Sequence, residues 1–190
     1  MNHVVAICKR EFKTFFNSPI AYMVLGTFLL LAGWLYFSTL FLAGQASLRG
    51  FFALVPILFV VLVPAITMRA IAEERKSGTL ELLLTLPMDD WQITLGKFIA
   101  ALGMIGVGLL WTLPYPLTVA TLVAPGAVFD WGPIGAGYLG LMLLASSFVS
   151  LGLWGSALSK NQIVGFIFGL GLCFAFYFVD KFAALLPESL

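Results

Sequence analysis

The sequence predicts an all-α fold, a polytopic helical membrane protein, on three observations. Of its 190 residues, 61% are hydrophobic and only 10% are charged, where a soluble domain carries roughly a quarter charged residues. The apolar residues gather into five uncharged runs, each long enough to cross a bilayer or nearly so. The densest charge lies in one island, Arg69 to Asp90, between the second and third runs. A formal net charge of +1 argues against nucleic acid as a partner. Membrane lipid is the partner this composition calls for.

In chain order, residues 1–18 read as an interfacial helix. Val4, Cys8, Phe12 and Phe15 share one helical face, and Lys9, Arg10 and Lys13 another, an amphipathic pattern with a basic side. A plain basic flank to the first span fits the same residues. Asn17-Ser18-Pro19 breaks the helix, with proline suited to a new first turn. Residues 20–43 form the first span, with Trp34, Tyr36 and Phe41 toward its far end. It is expected to be a span rather than a cleavable leader, since no small-residue cleavage site follows it.

Residues 51–68 form the second span, kinked at Pro56 and Pro64. Residues 69–90 are the island. The third span, 91–123, starts with Asp89 or Asp90 as N-cap and Lys97 snorkelling back to the interface. Pro114-Tyr115-Pro116 bends or ends it. The fourth span, 134–158, is rich in glycine and serine, and Lys160-Asn161-Gln162 turns the chain into the fifth, 163–179, with its Gly165-xxx-Gly169 pair. Such pairs let backbones approach closely, within the subunit or between subunits. The apolar tail Phe182 to Leu186 is too short to span and reads as interfacial. All of 1–190 then forms one transmembrane domain.

With the N-terminus cytoplasmic, eight of the ten basic residues fall on the inner side, leaving only Arg49 and Lys181 outside. That bias places the island in the cytoplasm.

The island has two halves. Arg69 to Lys76 reads as the second span running on past the membrane, broken at Ser77-Gly78. Thr79 then caps a short helix whose leucines, Leu80, Leu82, Leu83, Leu84 and Leu86, give an apolar surface around Glu81, and Pro87 ends it. A solvated, i,i+4-paired helix anchoring the second span is the alternative. No span carries an ionisable group near its centre, as ion-coupled carriers usually do. Gly96-Lys97 lacks the remainder of a phosphate loop. Neither a catalytic set nor a metal cluster is readable, and Cys8 and Cys173 read as free thiols. The chain has no visible power source.

The run Glu73-Glu74-Arg75-Lys76-Ser77-Gly78-Thr79-Leu80-Glu81-Leu82-Leu83-Leu84, then Pro87 and Gly96-Lys97, resembles the signature of ABC exporter permeases of the second type. Its nearest likeness is the compact bacterial branch that includes the gliding-motility and copper-enzyme-maturation permeases. The resemblance covers most of the chain and is nearly silent on cargo. It implies a permease in the bacterial inner membrane, paired with a second copy or close relative and with separate ABC ATPase subunits. ATP and Mg would be held there, with no cofactor, metal or catalysis on this chain. It implies that Thr79 to Leu86 is the coupling helix docking in the ATPase, beside Glu73, Glu74, Arg75, Lys76 and Gly78. Family members usually have six spans, so a sixth is expected outside this sequence. A rival reading keeps the ATPase but moves no cargo, pulling instead on a periplasmic partner. A third is a membrane scaffold with no nucleotide linkage.

Overall fold

A computed structural model describes residues 3–44, 47–79, 89–122 and 130–183. The regular elements among them are all helices: α1 (His3–Asn17), α2 (Pro19–Ala43), α3 (Arg49–Thr67), α4 (Ala72–Ser77), α5 (Asp90–Leu110), α6 (Pro114–Leu122), α7 (Gly132–Leu158) and α8 (Gln162–Ala183). Five segments are long and apolar enough to cross a membrane: α2, α3 with α4, α5 with α6, α7, and α8 through Val179.

Most helix ends fall where local chemistry puts them. Proline opens α2 and α6, where its missing N–H costs nothing. Gly44 leaves α2 with φ 61°, a left-handed conformation that glycine adopts freely. Asn161 accepts a hydrogen bond from the Ile163 N–H at 3.1 Å, starting α8. Asp89 does occupy the N-cap of α5, but without a side-chain cap bond; its carboxylate takes the Gln92 side-chain amide at 3.3 Å instead. Helix α8 also runs further than the uncharged stretch of the fifth span, through Asp180 and Lys181 to Ala183.

Helix α3 is the centre of the bundle, packing against α2, α5, α7 and α8. Phe51, Val55, Phe59, Val63 and Thr67 are fully buried, and their four-residue spacing makes one continuous stripe. The helix runs through Pro56 and Pro64 without ending. Small residues take the closest approaches. Gly155 of α7 lies against the backbone of Gly169 in α8, and Gly165 against Ser159 and the Met68 carbonyl. The Gly165-xxx-Gly169 pair therefore packs within this chain.

At the end away from α1, aromatic rings and hydroxyls join the helices. Tyr115 of α6 stacks on Tyr36 at 6.3 Å and meets Phe51 edge-on at 5.8 Å. Its hydroxyl donates to the Leu29 carbonyl at 3.3 Å, passing over Gly33. Tyr138 donates to the Thr112 carbonyl at 3.2 Å, a second bond to an acceptor that the Tyr115 N–H already meets at 2.9 Å. Tyr36 is thus a core residue, 2% exposed, and not an interfacial anchor: its ring is needed between α3 and α6. Trp34 and Phe41 do face outward.

Gly155→Leu should lower stability by about 1–3 kcal/mol, the usual cost of overpacking, since a Cβ there would stand 2.8 Å from the Gly169 nitrogen. Gly135→Leu is the control, because its Cβ meets nothing within 4 Å. Thermal unfolding of both variants in the same detergent checks the difference.

Candidate functional site

The island joins the bundle through an interruption the sequence does not suggest. Arg69 to Lys76 reads as a straight continuation of the second span, but α3 stops at Thr67 and the chain turns through Met68–Ile71 before α4. Side chains from other helices compete successfully for the backbone there. Ser156 of α7 donates to the Met68 carbonyl at 3.0 Å and accepts from the Ile71 and Ala72 N–H groups at 3.2 and 3.1 Å. One hydroxyl therefore serves the end of α3 and the start of α4. Thr67 bonds back to the Val63 carbonyl at 3.0 Å, a habit that bends helices.

Lys97 supplies the second fastening. It does not snorkel outward; it is 3% exposed. Its ammonium reaches the Ala70 carbonyl at 2.7 Å, Glu74 Oε1 at 2.7 Å and Glu11 Oε1 at 3.4 Å. An ammonium has three donors, and each has an acceptor here. Arg10 closes the arrangement, 2.7 Å from Glu11 Oε1 and 3.3 Å from Glu74 Oε1. Each carboxylate oxygen bridges two cations, and the four charges cancel. The inward turn of Lys97 follows from α1, which lies along α5 with Ile7 packed on Gly96 and Phe12 beside Gly103. That contact brings Glu11 within reach and covers the ammonium.

The expected site residues divide accordingly. Glu74, itself partly exposed, belongs to the network around the buried Lys97. Glu73 is exposed, its carboxylate 3.9 Å from Arg69 Nε, a loose surface pair of small energetic value. Arg75, Lys76, Ser77, Gly78 and Thr79 are all exposed. Gly78 has φ 72° and ψ 2°, the left-handed helix stop that its sequence context predicts. Thr79 bonds to Ser77 Oγ at 2.8 Å and to the Glu74 carbonyl at 3.4 Å; the helix it is expected to cap lies outside the described residues. Thr79 seals the open end of α4. Leu80, Glu81, Leu82, Leu83, Leu84 and Leu86 lie outside the described residues.

Sequence reasoning missed Arg10, Glu11, Lys97 and Ser156 as partners of the island. Glu11 carried a usable signal. It sits one helical turn from Ile7, Cys8 and Phe15, an acid on an otherwise apolar face. Ser156 carried none, since its partners lie 84 to 88 residues away.

A family model described as "ABC-2 family transporter protein" matches residues 20–187. The chain belongs to that family. The match takes in all five spans and the island, and leaves α1 outside it. No curated protein matches the chain. As an ABC-2 permease it is a multi-pass membrane component of an ABC transporter and not itself the catalytic subunit.

In this permease, Lys97→Met should destabilise by about 3–5 kcal/mol, because it leaves buried carboxylates short of a cation. Adding Glu74→Gln should recover part of that loss, whereas Arg75→Met should stay within about 0.5 kcal/mol of the parent. Denaturant unfolding of the single and double variants reads the coupling. Strictly additive losses would mean that the pair is not coupled.

Proposed function

We propose that this chain is the permease of a bacterial ATP-driven exporter, moving cargo across the inner membrane on ATP hydrolysed, with Mg, by a separate ABC ATPase subunit. Its N-terminus and island face the cytoplasm, in keeping with the basic residues gathered on that side. Two permease subunits, identical or closely related, would act together, and the island's pattern favours the compact bacterial branch.

The observation that carries this reading is the asymmetry of α4. Its inner side is bound to α1, α5 and α7 through Arg10, Lys97 and Ser156. Its outer end, Arg75 to Thr79, is exposed and stops at a left-handed glycine. A subunit driven from outside needs both: a rigid attachment to the spans and a free end for the motor to grip. Leu80 to Leu86, with Glu81 among them, are proposed as the coupling helix that enters the ATPase, flanked by Glu73, Glu74, Arg75 and Lys76. A leucine-rich segment of this kind should not be left facing water.

Gly78→Pro forbids the observed positive φ, and Glu81→Lys reverses the charge amid the leucines. Each should reduce cargo-dependent ATP hydrolysis at least tenfold in proteoliposomes holding permease and ATPase, with membrane insertion unchanged. Full activity in both variants, or a failure of insertion alone, would count against a coupling role. A maleimide that cannot cross the membrane should label Lys76→Cys in inverted vesicles and not in right-side-out ones; the opposite result would reverse the proposed orientation.

A further inference from the structure

A cavity of about 700 Å³ opens between the α1–α2 junction and the α3–α4 turn. Its two ends differ in chemistry. Arg69, Glu73 and Glu74 line one, and Val24, Ile66 and Met104 line the other. Met104 follows Lys97 by seven residues along α5, so about 10 Å separates the charged level from the apolar one. That is the gradient an amphiphile meets between the headgroup layer and the acyl region.

The charged end is incompletely satisfied. Among the described residues, Arg69 Nε and Glu74 Oε2 are buried with no hydrogen-bond partner, and both residues line the cavity. One is a donor and the other an acceptor, and each unmet group carries a desolvation cost. The signs on this rim are also balanced. The network of Arg10, Glu11, Glu74 and Lys97 cancels internally, leaving Arg69 and Glu73, one of each charge, 3.9 Å apart. A purely anionic head would meet Glu73, and a purely cationic one would meet Arg69. A zwitterion satisfies both.

We propose that this cavity is a binding site for a zwitterionic amphiphile, whose head carries one anionic phosphoryl oxygen and one ammonium on an apolar tail. The phosphoryl oxygen accepts from Arg69, the ammonium donates to Glu73 and Glu74 Oε2, and the tail lies along Val24, Ile66 and Met104. The ligand is a bilayer phospholipid or a detached single-chain amphiphile of the same head chemistry. The site requires only the membrane-spanning chain and is independent of the proposed ATPase coupling.

The full chain, stripped of lipid in a neutral detergent, tests this without any ATPase. Lysophosphatidylethanolamine should bind at least tenfold more tightly than lysophosphatidylglycerol or a monoacylglycerol of equal chain length, measured by native mass spectrometry. Arg69→Gln should remove that preference, and Ala65→Trp, which fills the apolar end, should weaken all three ligands at least tenfold. Loading from phosphatidylethanolamine vesicles would assign the site to bilayer lipid; loading by the lysolipid alone would assign it to a detached amphiphile. Either outcome supports the site. Equal binding of the three heads, or binding unchanged in both variants, overturns it.

Discussion

The buried ammonium of Lys97 is the constraint on which the half of this fold next to α1 depends. An unpaired cation in an apolar interior is very costly, so its burial requires acceptors from whatever elements surround it. The three it finds come from α1, the turn after α3, and α4. The α3–α4 turn and α4 are neighbours in sequence, but α1 lies some sixty residues before them and α5 some twenty after, and the ammonium draws all three regions together. Gly96, the residue before it, makes the arrangement possible by letting Ile7 come close enough to cover the site.

The opposite end of the bundle solves the same problem with weaker chemistry. There Tyr138 donates its hydroxyl to the Thr112 carbonyl beside the helix break, joining α7 to the α5–α6 turn. Neutral hydrogen bonds and ring contacts each contribute about 1 kcal/mol, so this end resists separation through several small terms. The charged end rests on a few strong ones. Helix α3 connects the two, with a fully buried stripe from Phe51 to Thr67. Displacement at α4 is therefore delivered into the most tightly packed element of the chain. Dense packing transmits such strain rather than absorbing it.

Much of the fold was legible because hydropathy and helix punctuation are local signals. The five spans follow from uncharged runs, and the breaks at Ser18-Pro19, Gly78 and Pro114 follow from residues that cannot continue a helix. What was illegible depends on distant partners. The turn at Met68–Ile71 exists because Ser156 and Lys97, from two other helices, offer its backbone better bonds than another helical turn would. Nothing within Met68–Ile71 announces this. Lys97 looked like a snorkelling lysine because its neighbours along α5 are polar on one side, and only the docking of α1 turns it inward. Of the candidate site, the exposed end of α4 and its glycine stop were readable; the attachment of its inner side was not.

Why should a membrane protein spend so much charge on one junction? Inside lipid, apolar helix faces are nearly interchangeable, since the surrounding tails are as apolar as the side chains. Apolar contact alone would leave α1 free to slide along α5 or rotate about its own axis. Two carboxylate oxygens that each bridge two cations permit neither movement: a shift of one residue would break the Lys97–Glu11 contact and expose the Glu74 charge. The net stabilisation from a network around one buried cation is modest, because desolvation offsets most of the attraction. Its contribution is definition of register. The root of α4 is held in one position while Arg75 to Thr79 remain exposed beyond it.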